Sequence, residues 1–329
     1  MKHTYRIGLL MLLIVLFVST LVTTSFASSP TYKWKLGSVD SRSNPNFKSM
    51  EYLVEKLEEK APGKWKIELY PDGLLGDAAK MCDSIQMGTL ELTAPPSSTV
   101  ANYVPEMGMF DMPYLFTSYE QVDAVLDGEI GQALAEKISD KGMKLLAYWE
   151  VGFRCLANNK RPVESVDDVA GLRLRVMSNV IQQELWLALG ADPVPMSLSE
   201  AYIANQNGTI DGQDNPLHSL IANSTYEVCK YVSVTNHIYT PMPLLISPRA
   251  WDQMTTEDQN LFMECVKDAT SYQRNLAREQ TQKAEKALAE EYNITVSHPD
   301  LAGFESKMGA VYDNHPEFKE YIDQIKNGN

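Results

Sequence analysis

Residues 171–196 read GLRLRVMSNVIQQELWLALGADPVPM, and this stretch decides the fold class. At its start, apolar residues alternate with Arg173 and Arg175, which is the period-two pattern of a strand. The following run predicts a helix over 179–189 that ends at a glycine, and residues 194–196 predict a short strand. A strand, a helix and a second strand in this order are typical of a parallel α/β sheet.

The same order of elements occurs in the N-terminal half of the chain. Alternation predicts strands at 32–36, 65–69 and 90–93. Helix-boundary residues predict helices between them, at 44–60 and 77–87. The hexapeptide QMGTLE at 86–91 resembles QNGTID at 206–211, and each ends a helix with a glycine before a strand begins. Six residues can match by coincidence, but the repeated order favours two α/β halves of like construction.

The C-terminal third predicts long helical structure. No glycine or proline occurs between Arg249 and His298, and Thr255 followed by Asp258 is a good helix start. One helix to Tyr292 would be roughly 55 Å long at 1.5 Å per residue, which is enough to lie across both halves. Two helices with an unmarked bend are the alternative. A further helix is predicted over 318–325.

The first 27 residues predict a secretory signal peptide. A basic start is followed by an apolar run and then by small residues that end at Ala27. The apolar run is shorter than the ~20 residues that a membrane span needs. We therefore expect cleavage after Ala27 and a soluble mature protein in the periplasm.

Composition narrows the class of function. The chain has 329 residues and a formal net charge of −14, with 44% hydrophobic and 22% charged residues. That length suggests about two domains, and the acidic balance argues against binding nucleic acid. The four cysteines match no metal or redox spacing, so we expect buried free thiols or at most one disulfide.

The sequence carries little sign of catalytic or metal chemistry. It lacks G-x-S-x-G, H-E-x-x-H, Walker A and G-x-G-x-x-G motifs. The segment DGQDNP at 211–216 superficially suggests a calcium loop but lacks the ligand spacing of an EF-hand. Its residue types favour a turn with a polar tip. We expect neither a cofactor nor a metal.

Two arginines are better candidates for ligand binding. Arg175 lies near the end of its predicted strand, and Arg154 follows a strand pattern and Gly152. Ligands in open α/β sheets bind outside the carboxyl ends of strands, and an arginine fork matches a carboxylate. A surface charge or a structural ion pair is the alternative for any single arginine. Arg173 is the example of that alternative.

Several motifs, taken in order, carry a family resemblance. The chain resembles the solute-binding proteins of TRAP (tripartite ATP-independent periplasmic) transporters, of the dicarboxylate and sialic-acid-binding type. The matching segments are LLGD at 74–77, MPYL at 112–115, GLRLRV at 171–176, LGADP at 189–193, PMSLSE at 195–200, DGQDNP at 211–216, YEV at 226–228 and TNH at 235–237. Each motif is weak alone, but their joint order and spacing are specific, and together they span nearly all of the mature chain.

The resemblance implies a two-domain α/β clamp of the type II periplasmic-binding-protein kind, with a long helix across both domains. We expect domain I at 28–152 plus 241–280, and domain II at 153–240 plus 281–329. A hinge would close the clamp over one small organic acid, which would then be delivered to the transporter's membrane subunits.

The resemblance also implies which residues bind the acid. Arg175 matches the arginine that pairs with the ligand carboxylate, and Arg154 is similar to a second arginine that assists it. The remaining expected site residues are Asn215 and Asp214 in the carboxylate region, His237 in the supporting network, Leu198 under the ligand, and Val39, Asp77, Pro96, Ser97 and Thr99 on the first-domain wall.

Departures from the family pattern bear on the ligand. The segment APPSST at 94–99 replaces the charged residues of the sialate-type pocket, and Val39 replaces an asparagine. These changes argue against sialic acid, and the residues around Asp214 argue against uronates. A less polar first-domain wall predicts a smaller acid, or one with an apolar or aromatic body.

Two other functions compete with that of a transport receptor. One is an exported hydrolase or lyase of sugar acids, and the other is a periplasmic protein coupled to a chemoreceptor.

Overall fold

The protein is described by a computed structural model that covers residues 31–328. The predicted signal peptide at residues 1–27 lies outside the described residues. Two sheets organise the described chain. The strands, β1 to β11 in chain order, are Tyr32–Gly37, Trp65–Tyr70, Leu92–Thr93, Lys144–Phe153, Cys155–Asn158, Arg173–Val176, Asp192–Pro195, Gly212–Asn215, Tyr231–Ser233, Tyr239–Ile246 and Thr295–Ser297.

The first sheet has the strand order β2-β1-β3-β10-β4. Strand β1 pairs in parallel with β2 and β3, whereas β10 runs antiparallel to both β3 and β4. The alternation seen in the sequence places Trp34 and Leu36 in a buried cluster with Phe47 of the first helix and Phe262 of the long helix. The strand pattern and the helix pattern therefore meet in one core.

The second sheet has the strand order β11-β9-β5-β8-β6-β7. Strand β6 pairs in parallel with both β7 and β8, and β5 runs antiparallel to β8 and β9. The chain passes from one sheet to the other between β4 and β5 and returns between β9 and β10. The predicted domain boundaries at 152 and 240 lie next to these passages, and the exact division stays a prediction.

The segment 211–216 is not the turn that its residue types predict. Gly212–Asn215 forms β8, which lies inside the second sheet with all four residues buried. Two of its polar side chains bond to residues that are distant in sequence. Gln213 donates to the Thr225 hydroxyl at 2.9 Å, and Asp214 accepts from Arg154 at 2.7 Å.

Helices cover both sheets, and their caps agree with the predictions. Asn44, Asp77 and Thr255 accept hydrogen bonds from first-turn amides, and Ser197 with Glu200 forms a capping box. The α-helices, α1 to α14 in chain order, are Pro45–Lys60, Ala78–Met87, Ser97–Val100, Tyr119–Leu126, Glu129–Asp140, Val180–Ala188, Leu198–Gln206, Leu217–Ala222, Thr225–Val228, Pro248–Asp252, Thr256–Glu290, Leu301–Glu305, Gly309–Asn314 and Lys319–Asn327. The 3-10 helices are Pro105–Asp111, Val166–Val169 and Pro316–Phe318.

The repeated hexapeptide forms the same turn in both halves. Gly88 and Gly208 adopt left-handed φ values of 70° and 76° after α2 and α7 respectively. The two following amides then bond back to one helix carbonyl, that of Ser84 in the first copy and that of Ala204 in the second. Because this conformation favours glycine, the sequence match reflects a shared backbone requirement.

Helix α11 is one continuous helix of 35 residues, so the alternative of two helices with a bend is wrong. In its middle, Trp149 of the first sheet donates to the Thr270 hydroxyl at 3.0 Å. Further along, the His218 ring is 2.8 Å from the Thr281 hydroxyl, on the side of the second sheet. The helix therefore packs against both sheets, as predicted.

The cysteines agree with the prediction of buried free thiols. Cys82, Cys155, Cys229 and Cys265 are all buried free thiols. Burial raises the pKa of Cys82, Cys155 and Cys229 to about 12, which keeps these thiols protonated at neutral pH. Among residues 31–328, no helix combines the length and the apolar character that crossing a membrane requires.

Candidate functional site

A cavity of about 370 Å³ is lined by residues that follow strands of both sheets. From the second sheet, Met177, Pro195 and Asn215 lie at or just after the ends of the parallel strands β6, β7 and β8. From the first sheet, Asp40 follows β1 and Pro96 follows β3. Carboxyl ends of parallel strands are where open α/β sheets bind ligands, so this cavity is the candidate site.

Arg175 supplies the main positive charge of the cavity. Its side chain is only 4% exposed, and its Nε donates to the Met196 carbonyl at 3.0 Å. No carboxylate within residues 31–328 forms an ion pair with its guanidinium. Burial, with the nearby charge of Arg154, lowers the pKa of Arg175 to about 10, which still leaves it cationic at neutral pH. A buried cation without an internal counter-ion is a preformed anion site.

Asn215 contributes a second donor to the same edge of the sheet. It is the last residue of β8, which pairs in parallel with β6 through Arg175 and Gln213. Its side-chain amide Nδ2 is buried and has no hydrogen-bond partner in the described chain. Because an unsatisfied buried donor is costly, a ligand acceptor at this position would be favoured.

Arg154 is held rigidly at the back of the cavity. It precedes β5, and its Nε and Nη2 donate to the Asp214 carboxylate at 2.7 and 3.0 Å. The Nε2 of His237 is 2.9 Å from the same carboxylate, and its Nδ1 is 2.8 Å from the Thr235 hydroxyl. The pKa of Asp214 lies below its ordinary range because these two partners outweigh its burial, and burial lowers the pKa of His237.

The structure thus separates two roles among the predicted residues of the second sheet. Arg154, Arg175, Asn215 and Leu198 line the cavity. Asp214 and His237 are both 1% exposed and lie outside the lining, where they fix the position of Arg154.

Arg173 lies two residues before Arg175 on β6 and is held by a carboxylate outside the cavity. Its side chain shares the strand face of Arg175, but it stands at the start of the strand and is not part of the cavity lining. Its Nη2 donates to Asp211 at 2.7 Å, and Lys160 lies 3.2 Å from the same oxygen of Asp211. Arg173 therefore forms a partly exposed structural ion pair, as the sequence analysis expected.

On the first-sheet side, Val39, Asp77, Pro96 and Thr99 line the cavity. Ser97 is fully buried and lies outside the lining, where its hydroxyl has no hydrogen-bond partner within the part of the chain that is described. Four of the five predicted first-domain residues therefore face the cavity.

Sequence reasoning missed several polar groups of the cavity. Asp40, Asn102 and Glu200 all belong to its lining. Asp40 and Asn102 stand on the first-domain wall with the predicted Asp77, and the polarity of that wall relative to the sialate-type pocket stays a prediction. For Asp40, a signal was present in its position directly after β1, at the same edge as Val39.

Comparison with known proteins places the chain in a family. Residues 36–319 match the family described as bacterial extracellular solute-binding protein, family 7 (DctP). The 2,3-diketo-L-gulonate-binding periplasmic protein YiaO of Escherichia coli is 29% identical over 294 residues, which cover 89% of this chain and 90% of that protein.

Two solved structures share the whole fold. A TRAP periplasmic solute-binding protein from Polaromonas, bound to D-erythronate, has a TM-score of 0.86 and 31% identity, covering 89% of this chain and 98% of that one. The sugar-acid-binding protein DctPAm of Advenella mimigardefordensis, in complex with galactonate, has a TM-score of 0.85 and 30% identity, covering 91% of this chain and 96% of that one.

The family consists of solute-binding receptors for transport and not of enzymes, so the alternative of a hydrolase or lyase is wrong. The two-sheet fold, the cavity at the strand ends and the match over residues 36–319 agree with one another. The chain belongs to the DctP family and is a periplasmic solute-binding protein of the TRAP type.

Proposed function

We propose that the protein captures one small organic acid by a salt bridge between the ligand carboxylate and Arg175. The observation that carries this proposal is the isolation of Arg175, which is buried in the cavity wall without a counter-ion among residues 31–328. Asn215 adds an unsatisfied amide donor beside it. A carboxylate satisfies both groups at once.

Arg154 supports this anchor. Arg154 lines the cavity, and because Asp214 holds two of its nitrogens, its guanidinium keeps a fixed position there. The acidic protein as a whole does not attract anions, so capture depends on the local field of Arg175, whose charge is not compensated by a carboxylate as that of Arg154 is. Closure of the clamp would then expel water and strengthen the charge-assisted bonds.

The wider role of the protein is in transport. The predicted signal peptide at 1–27 would export the chain to the periplasm, and the loaded protein would deliver its acid to TRAP membrane subunits. Domains at 28–152 plus 241–280 and at 153–240 plus 281–329 would form the two jaws. Ligand binding would shift the population toward the closed form that the membrane subunits recognise.

The three compared proteins named above suggest one chemical class for the ligand. D-erythronate, galactonate and diketogulonate, which the compared proteins are named for or contain, are all hydroxylated or oxygenated acids with one carboxylate. The polar lining contributed by Asp40, Asn102 and Thr99 would suit such acids.

A thermal-shift screen of the mature protein tests the proposal. The protein would first be unfolded and refolded to release any retained ligand, then heated with sugar acids and with their matched amides. We expect an acid to raise the melting temperature while its amide does not, because a ligand bound only to the folded state stabilises it. Equal shifts by acid and amide, or no shift by any acid, would refute carboxylate anchoring.

A further inference from the structure

The charges around the cavity leave room for only one anion. Two arginines line it, but Asp214 already compensates Arg154 at 2.7 Å. Arg175 is then the single uncompensated cation of the lining, as far as residues 31–328 are concerned. A second negative group on the ligand would need another donor elsewhere in the cavity.

Helix N-termini are the usual alternative anion sites, and those of the two longer helices whose first turns line the cavity are occupied. The first turns of α2 and α7 belong to the cavity lining. Asp77 caps α2 by accepting from the Lys80 amide at 2.8 Å. Glu200 closes α7 by accepting from the Ser197 amide at 2.9 Å. These carboxylates already use the positive ends of the helices, so neither end offers an anion site to the ligand.

Asp40 adds a negative charge to the opposite wall. It follows β1 on the first sheet, lines the cavity and is 7% exposed. Asn44 and Asn46 donate to its two carboxylate oxygens, each at 3.1 Å. No cation among the described residues pairs with it. Its orientation is therefore fixed by two amides, which leave further lone pairs on both oxygens.

We propose that Asp40 determines ligand specificity, an inference that rests on the proposed function. The cavity takes an acid with a single carboxylate and a hydroxylated far end, and it rejects dicarboxylates. The ligand carboxylate binds Arg175, and a hydroxyl at the far end donates to Asp40. A second carboxylate there cannot donate, and it faces a buried like charge without a counter-ion.

The discrimination follows from elementary electrostatics. Like charges near each other in a partly buried site repel far more strongly than in water, because the effective dielectric constant is lower. A hydroxyl at the same position gains a hydrogen bond to a charged acceptor, which is stronger than one between neutral groups. Both effects favour the hydroxylated end over the carboxylated end.

Matched pairs of ligands test this inference by calorimetry on refolded, ligand-free mature protein. D-erythronate is compared with meso-tartrate, and D-galactonate with galactarate, because each pair differs only in oxidation of the terminal carbon. We expect the monocarboxylate of the pair whose length fits to bind at least 10-fold more tightly. Asp40→Asn should reduce that ratio to below about threefold by removing the repelling charge.

Asp72→Asn is the matched control. Asp72 lies near Asp40, since its amide donates to the Asp40 carbonyl at 3.0 Å, but its side chain is outside the cavity lining. Its left-handed φ of 56° suits asparagine as well as aspartate. This variant should keep the selectivity of the unmodified protein. If Asp40→Asn does not fold, the ligand pairs on the unmodified protein still decide the question.

The outcomes separate this inference from the proposed function. Dicarboxylates that bind as tightly as their monocarboxylate partners, with Arg175 still required, would overturn the role of Asp40 and leave the receptor function standing. Selectivity unchanged in a folded Asp40→Asn protein would overturn it as well. Failure of every acid to bind would instead refute carboxylate capture, and this inference with it.

Discussion

Replacing Arg175 with methionine should separate ligand binding from stability. The guanidinium is 4% exposed and makes its single protein hydrogen bond within residues 31–328 to the Met196 carbonyl. Burial lowers the pKa of Arg175 to about 10. At ~1.36 kcal/mol per pKa unit, holding this charge destabilises the empty protein by roughly 3 kcal/mol. Removing the charge relieves that cost.

The same change should remove most of the binding energy. A carboxylate on Arg175 would receive two charge-assisted hydrogen bonds, each worth about 1.5–3 kcal/mol. Their loss predicts an affinity weaker by roughly 100-fold or more, at ~1.4 kcal/mol per factor of ten. Loss of the bond to the Met196 carbonyl costs about 1 kcal/mol. Unfolding free energy of the empty variant should then be unchanged or higher by up to roughly 2 kcal/mol.

Calorimetry with an acid that the protein binds measures the affinity. Urea unfolding of the ligand-free protein measures the unfolding free energy. Arg173→Met is the matched control, because Arg173 lies on the same strand but pairs with Asp211, and both residues are outside the cavity lining. It should leave affinity within about twofold of the unmodified protein.

Two results would contradict this role of Arg175. An Arg175→Met protein that binds its acid within threefold of the unmodified protein would show that this residue does not hold the carboxylate. An empty variant destabilised by more than about 2 kcal/mol would show that the guanidinium is a structural group, since loss of its one hydrogen bond accounts for only about half of that.

Three further predictions concern stability. Asp214→Asn leaves the buried charge of Arg154 without its partner, so urea unfolding should show a loss of about 3–5 kcal/mol. Burial lowers the pKa of His218 to about 4, whereas its pKa in the unfolded chain is ~6.5, so the unfolded chain binds this proton more readily. Between pH 7 and pH 5, the unfolding free energy of the unmodified protein should therefore fall by about 2 kcal/mol relative to that of His218→Gln. A difference between the two proteins that stays constant over this pH range would refute the prediction. Thr255→Ala removes the cap on the Asp258 amide at 3.2 Å and should lower the unfolding free energy by about 1 kcal/mol, as thermal unfolding would show.

Local signals predicted the elements that depend on local chemistry. Helix α11 was evident because its span contains no glycine or proline and begins at a good cap. Arg175 lies near the end of β6, as predicted, because the alternating run of residues 172–176 marks a strand that ends there. The repeated glycine turns after α2 and α7 were evident because left-handed backbone favours glycine.

Elements that depend on distant partners were missed. Strand β10 contains Pro241 and Pro243, which normally argue against an inner strand. Only Leu245 and Ile246 of β10 pair with β3. Among the described residues, the segment that contains the two prolines therefore pairs with β4 alone, so it tolerates them as an edge strand does. For Asp40, the position directly after β1 was a signal, but its burial depends on packing that a single sequence does not reveal.

The position of β10 also sets an order for folding. The chain is made from its N-terminus, yet β10 is inserted between β3 and β4, and it comes after all strands of the second sheet except β11. Until residue 246 has emerged, β4 lacks the one strand that pairs with it among residues 31–328, and the N-terminal segment cannot complete its core. The first half therefore cannot mature before most of the second sheet has been made, and a truncated N-terminal fragment would expose apolar surface and unpaired strand edges.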